Sequence, residues 1–419
     1  MQTLTTPVQQ QERAQILDVL RGLALFGILL NNIYGFSGFG NLPDEARKNF
    51  ATFQVDEFLN FFQVMLVEGK FYSLFSLLFG IGFSIILIRN EQKGINPFKI
   101  FYRRLTVLLL IGAAHIYFLW EGDILLLYAL IGFILPLFRN CSNRVLLTWA
   151  AVFILSPIVI DAIKLWVQWG PGDFIIPIAE QIDAKNGIKG EEWRTYFFRD
   201  GSGWQEWRNY QQTGFLYRFS SLLNNNRIPK VLGMFLIGFY VGRKMIYANL
   251  EQYKPLLKKV MFWGFLIGLP FSFAMAIFEG DDKNIYTSRM GILDTVTYAF
   301  GVAPLSLAYT ASISLLWLKR MSSSLAVFAP VGRMALTNYL AQTVFGGSLF
   351  YGVGFGLGQE FGISFILLIA IAIYCFQVVY SNMWFRYFQY GPLEWVWRQL
   401  TYGKKLPLRK QQVQLKEAI

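Results

Sequence analysis

The chain holds a single histidine, His115, inside an apolar run, with Glu121-Gly122-Asp123 shortly after it. Imidazole is the one side chain that exchanges a proton near neutral pH without a perturbed environment. In a dry site it acts as a general base or as a covalent carrier of a transferred group, and Asp123 is placed to orient or charge it. The structural alternative is a histidine bonded to a backbone carbonyl that bridges two helices. A second candidate group opens the chain. Asp18 and Arg21 lie within one helical turn, close enough to pair. Continuing that helix from Arg21 to Asn32 advances roughly 16 Å and returns to within about 20° of the same face. A bundle-facing stripe would then carry a guanidinium at one end and an amide at the other; the alternative is an ion pair at a membrane boundary. In Gly332-Arg333-Met334-Ala335-Leu336-Thr337-Asn338-Tyr339, Arg333 and Thr337 share a face of a continuous helix. A guanidinium there either holds phosphate or snorkels to headgroups.

The elements that position these groups follow from composition. Of 419 residues, 54% are hydrophobic and 15% charged, against about 25% charged in a soluble domain. Forty Phe, 21 Tyr and 12 Trp add the aromatic load found at membrane interfaces. The reading is an all-α, polytopic membrane helix bundle of about ten transmembrane helices. Spans are expected near 16–34, 69–88, 101–120, 123–138, 145–168, 229–247, 257–278, 290–317, 328–351 and 360–383, each near the roughly 20 residues that cross a bilayer. The first run, interrupted by Asp18 and Arg21 and followed by no small-residue cleavage site, reads as a retained span. Asn31, Tyr34, Glu68, Lys70, His115 and Asp123 then fall near the outer ends of the early spans, as an outward pocket or as ordinary boundary residues.

Lys and Arg crowd alternate connections: Arg89 to Arg104, Arg139 with Arg144, Arg243 to Lys259, Lys319 with Arg320, and the tail from Arg386. The intervening connections carry Glu121 with Asp123, Glu279 with Asp281 and Asp282, and Glu360. The positive-inside rule therefore puts the N- and C-termini in the cytoplasm. On this reading residues 1–168 form an N-terminal five-helix half with the candidate site, and 229–390 a C-terminal five-helix half, followed by a basic cytoplasmic tail, 391–419. Segment 169–228, which mixes Trp193, Phe197, Phe198, Trp204 and Trp207 with Arg194, Arg199 and Arg208, suits helices resting in the headgroup region. The segment from Phe50 to Val67, broken by Asp56, Glu57 and Gln63, looks interfacial too.

The net charge of +12 is spread between apolar runs, as in loops facing an anionic leaflet, which argues against a nucleic-acid partner. Two distant cysteines and one histidine make a disulfide framework or a metal centre improbable. No phosphate-binding loop, dinucleotide fingerprint or metalloprotease helix is present.

Leu17-Asp18-Val19-Leu20-Arg21-Gly22-Leu23-Ala24 followed by Leu30-Asn31-Asn32-Ile33 resembles the opening of YeiB-like membrane proteins. So do Phe75-Ser76-Leu77-Leu78-Phe79-Gly80, His115 with Gly122-Asp123-Ile124-Leu125, and Gly332-Arg333 with Thr337-Asn338-Tyr339, from about residue 16 to 390 in the family's order. That family is similar to the transmembrane acyltransferase superfamily, which includes heparan-glucosaminide acetyltransferase and bacterial sugar O-acyltransferases. The resemblance implies acyl transfer from cytoplasmic acetyl-CoA or another acyl-CoA to a sugar or lipid-linked acceptor outside the bacterial inner membrane. His115 would be base or acyl carrier, Asp123 its orienter and Asn32 the group that positions the acyl carbonyl. Arg21, Arg333 and Asn338 would bind the donor. The superfamily's histidine stands late in the first span or just beyond it, whereas here the only histidine is in the third. The expected partners are the lipid bilayer, the donor and the acceptor, with a homodimer compatible with the sequence. The alternative function is export of a small metabolite along the same polar pathway.

Overall fold

The structure, a computed structural model, describes residues 14–94, 96–188, 195–198, 201–278, 287–319 and 321–410. Trp193, Arg194, Arg199, Glu279, Asp281, Asp282 and Arg320 lie outside the described residues. The helices run in order α1 (Gln15–Ser37), α2 (Asp44–Lys48), α3 (Phe53–Leu66), α4 (Lys70–Gln92), α5 (Pro97–Phe118), α6 (Leu125–Gly132), α7 (Asn143–Val167), α8 (Ile176–Lys185) and α9 (Trp204–Asn224). They continue as α10 (Arg227–Arg243), α11 (Lys254–Ile277), α12 (Arg289–Leu318), α13 (Ser322–Leu325), α14 (Ala329–Arg333), α15 (Ala335–Phe350), α16 (Ile363–Tyr387) and α17 (Pro392–Tyr402). Among the described residues there is no β-strand, only an isolated bridge between Phe388 and Arg409.

Local signals set the boundaries. Asn96 precedes Pro97 and its side chain accepts Phe98 N–H at 2.9 Å, starting α5. Ser142 and Ser288 cap α7 and α12 by accepting Val145 N–H at 3.3 Å and Gly291 N–H at 3.0 Å. Gly38, at φ 69°, ends α1 in the left-handed region that only glycine enters at no cost.

Seven helical stretches among the described residues are long and apolar enough to cross a bilayer: Gln15–Ser37, Phe53–Gln92, Pro97–Phe118, Asn143–Val167, Lys254–Ile277, Arg289–Leu318 and Ile363–Tyr387. The other expected spans are helical yet short or broken. Segment 123–138 passes from α6 into a tighter turn over Leu135–Phe138 at Pro136. α10 has 17 residues, and 328–351 breaks at Met334 between α14 and α15. The outer surface of α7 is apolar, with Val152, Val159, Ile163 and Trp166 exposed, and α11 likewise exposes Phe262, Trp263, Leu266 and Ile277. Apolar walls of this extent call for a hydrocarbon solvent.

Helices from both halves of the sequence interleave. α1 packs against α4, α14, α15 and α16, while α4 packs along α10. At that crossing a Cβ on Gly80 would strike the Phe235 carbonyl, and one on Gly238 the Leu77 carbonyl. The glycines conspicuous in the sequence thus let two backbones touch. Segment 169–228 does more than rest at the interface. Phe197 and Phe198 are buried against Tyr351, and Phe197 stacks on Tyr210 at 3.9 Å, so the segment plugs one end of the bundle. Asp56 and Gln63 of α3 are buried as well; Asp56 accepts Ser364 N–H at 2.8 Å and so fixes the start of α16.

Candidate functional site

His115 lies in the last turn of α5, and the chain reverses around its backbone. Leu119 and Trp120 N–H both donate to the His115 carbonyl, at 2.9 and 3.0 Å. That turn carries Asp123 back over the ring, with Oδ1 2.8 Å from Nδ1, while Oδ2 accepts Leu126 N–H at 2.6 Å at the start of α6. One carboxylate therefore holds the imidazole and caps the next helix. On the opposite edge, Nε2 is 2.9 Å from the hydroxyl of Thr343 on α15. With the carboxylate accepting, Nδ1 carries the proton, and a neutral ring then accepts the Thr343 hydroxyl proton at Nε2. His115 and Asp123 are each 1% exposed, so the pair is shielded from water. Helix spacing places Tyr339 one turn before Thr343 on the same face. Its ring centre is 5.4 Å from that of His115, and its hydroxyl accepts Ile124 N–H at 3.3 Å.

Tyr339 has a second face. It lines a cavity of about 270 Å³ that runs from Ala14 and Trp397 at one end of the bundle to Ile124, Tyr128 and Tyr339 in its interior. Arg21, Arg104, Arg333 and Arg398 stand in the wall, and Phe79, Leu105 and Leu108 supply apolar lining. Each arginine is positioned by its neighbours. Arg21 donates to Asp18 at 2.7 Å. The Arg104 guanidinium lies 3.9 Å over the Trp397 ring, whose N–H returns to the Arg104 carbonyl at 3.1 Å. Arg333 sits 3.8 Å over Phe385 and donates to the Gln389 carbonyl at 3.3 Å. Arg21 and Arg333 line the same cavity because Gly22 and Gly332 let α1 and α14 touch: a Cβ on Gly332 would strike the Asp18 carbonyl, and one on Gly22 the Phe328 carbonyl.

Glu394 of α17 also reaches the cavity, accepting Leu336 N–H at 2.7 Å, Thr337 N–H at 3.1 Å and the Thr337 hydroxyl at 2.6 Å. Burial pushes its carboxyl above the usual range against these hydrogen bonds, which pull it down. The break at Met334 explains why Thr337 faces Glu394 while Arg333 turns to Phe385; the helical register between them does not carry through.

The structure gathers His115 with Asp123, and Arg21 with Arg333, but not all the other candidates. Asn338 does not line the cavity; its amide donates to the Val331 carbonyl and to Ser381, both at 3.1 Å, tying α15 to α16. Asn32 is also absent from the lining, because the space closes at Tyr128 and Tyr339 before reaching the far end of α1. Neighbouring Asn31 accepts instead from Gln63 at 3.2 Å. Lys70 is fully buried and donates to the Val64 carbonyl at 2.7 Å, so Asn31 and Lys70 make contacts separate from the His115–Asp123 pair. Thr343 is the residue that sequence reading overlooks, and Tyr339, though part of the Thr337-Asn338-Tyr339 motif, is given no role there; their one-turn spacing is the signal that joins them.

Residues 241–404 match a family model described as a protein of unknown function, DUF418. The protein YxaH of Bacillus subtilis (strain 168) is 32% identical over 96% of this chain and 98% of its own length. YeiB of Escherichia coli (strain K12) is 31% identical over 93% of this chain and 96% of its own. The chain belongs to the YeiB-like family. A 39.9 kDa protein encoded in the amylase 3' region of Bacillus acidopullulyticus is 28% identical over 96% of this chain. At that coverage these relatives match across both sequence halves.

Proposed function

We propose that the protein is a transmembrane acyltransferase, moving an acyl group from cytoplasmic acyl-CoA to an acceptor such as a sugar or glycolipid on the other side of a bacterial inner membrane. In this reading the chain crosses about ten times with both termini cytoplasmic. One observation carries it: an arginine-walled cavity ends on Tyr339, whose ring packs on the buried His115–Asp123 pair.

The fit to the donor is a matter of size and charge. A space of about 270 Å³ is just below the usual size of ligand pockets, roughly 300–1,000 Å³, and suits a narrow acylated pantetheine arm rather than the whole donor. The nucleotide stays outside, its phosphates against Arg21, Arg104, Arg333 and Arg398, where guanidinium forks suit them. Its charges never enter hydrocarbon, where each would be costly. Tyr339 must turn off the imidazole, and the Thr343 hydroxyl must leave Nε2, for His115 to reach the reacting atoms. Nε2 then takes the proton from an acceptor hydroxyl, the acceptor oxygen bonds the acyl carbon, the C–S bond breaks, and the thiolate recovers the proton. Asp123 stabilises the imidazolium formed in between. Asn32 and Asn338 have no part in this scheme.

Purified protein incubated with labelled acetyl-CoA should bind CoA saturably and pass label to protein or glycan. Arg21→Ala and Arg333→Ala should each weaken CoA binding at least tenfold. Neither transfer nor saturable binding would end the proposal. A second reading, export of a small metabolite, draws on the fact that both His115 nitrogens are already bonded within the protein. It is favoured if proteoliposomes move solute without any acyl donor.

A further inference from the structure

Beyond the tyrosines that close the cavity lies a second cluster of cations. Arg218 of α9 donates to the Asp123 carbonyl at 3.4 Å, and its Nε is buried without a partner. Arg227, at the start of α10, donates to the Tyr298 hydroxyl at 3.3 Å, with its guanidinium 5.5 Å from the centre of the Tyr72 ring. Lys230 places its ammonium 4.0 Å over Tyr298. Arg218 and Lys230 each feel the charge of Arg227 as repulsion. Glu68, Asp294, Asp161 and Glu121 act on the cluster only from a distance: among the described residues none of the three cations forms a carboxylate ion pair. The Tyr72 hydroxyl oxygen, a donor facing the same region, is buried and also lacks a partner. Tyr72 adjoins the inner cavity through Tyr128, which donates to the Tyr72 carbonyl at 3.0 Å.

Arg227 and Lys230 share the Tyr298 ring, at 6.0 and 4.0 Å, and cations so placed inside an apolar bundle are costly unless an anion joins them. Guanidiniums flanked by tyrosine hydroxyls suit the oxygens of a phosphate group. We infer that Arg218, Arg227 and Lys230, with Tyr72 and Tyr298, form a site for a phosphate-bearing headgroup on the side of the tyrosines away from the arginine-walled cavity. The contact of Arg218 with the Asp123 carbonyl sets this anion beside the His115 pair. Its assignment as the acceptor's phosphate rests on the acyl-transfer reading; the anion site itself does not.

The test uses the full-length protein in neutral detergent, titrated with inorganic phosphate, with dihexanoyl phosphatidic acid and with dihexanoyl phosphatidylcholine, and followed by tryptophan fluorescence. Saturable binding of at least one of the first two is expected, weakened at least tenfold in Arg227→Gln and in Lys230→Gln and unchanged in Lys254→Gln, an exposed cation outside both sites. Binding of phosphatidic acid alone assigns a membrane-borne phosphate; equal binding of inorganic phosphate assigns a soluble one. The inference is overturned if neither phosphate saturates, or if Arg333→Gln or Lys254→Gln and not the outer variants loses binding. Should Arg227→Gln fail to yield folded protein, Arg227→Lys and Tyr298→Phe replace it, with at least threefold weakening expected and wild-type binding overturning the site. Phosphate binding without CoA binding would remove the acyltransferase and leave this site; CoA binding without phosphate binding would do the reverse.

Discussion

Two groups of buried charge lie in this bundle, alike in chemistry and different in surroundings. Lys164 of α7 donates to Asp161 at 2.8 Å, to the Asn224 carbonyl at 2.6 Å and to Asn226 at 3.0 Å. Asp161 also accepts from Asn226 at 2.7 Å and from Thr295 at 2.5 Å. These bonds clasp α7, the α9–α10 corner and α12, with every ammonium proton used. His115, Asp123 and Thr343 are bonded just as fully, yet the Tyr339 ring beside His115 also lines a cavity. Burial and hydrogen bonding alone therefore do not distinguish a clasp from a site. On the proposed reading, adjacent space does, together with nearby cations that form no carboxylate ion pair among the described residues.

The contrast can be broken from either side. His115→Asn keeps an amide able to donate to Asp123, so the melting temperature should stay near wild type while labelled acyl transfer falls by about 10²–10⁴-fold, the usual contribution of a general base. Undiminished transfer would make both groups structural. Lys164→Met leaves Asp161 buried without its cation and should cost about 3–5 kcal/mol. Thermal unfolding in detergent should show that loss, with transfer per folded molecule unchanged; a specific loss of transfer would erase the distinction. Tyr339→Phe leaves the buried Ile124 N–H without its acceptor, which costs about 1–3 kcal/mol, so stability should drop moderately while transfer changes only a few-fold.

Glu394 gives the smallest effect, read against pH. Burial raises its carboxyl above the ordinary 4.5, so the folded protein keeps that proton to a higher pH than the unfolded chain does. Stability from this group is fully present below 4.5 and is lost as pH rises through the raised folded value. Glu394→Gln has no such proton, and its melting temperature should fall less over that window. An identical slope in both proteins would remove Glu394 from the balance.

Composition and hydropathy were enough to dictate a helical membrane bundle, because a chain with so few charges cannot cover itself for water. The pairing of His115 with Asp123 was legible too, since a glycine-containing turn after a helix returns the chain onto its last residues. Spacing could go no further. Asp18–Arg21 and Asp161–Lys164 have the same separation, yet Arg21 lines a cavity while Lys164 lies sealed in a clasp. Met334 broke the register that would have joined Arg333 to Thr337, and the closure at Tyr128 and Tyr339 stranded Asn32. Which polar groups share a space depends on how distant helices pack, through close approaches such as Gly22 on Phe328 and Gly332 on Asp18. Helical periodicity fixes the face a residue occupies along its own axis; only tertiary packing decides what stands opposite that face.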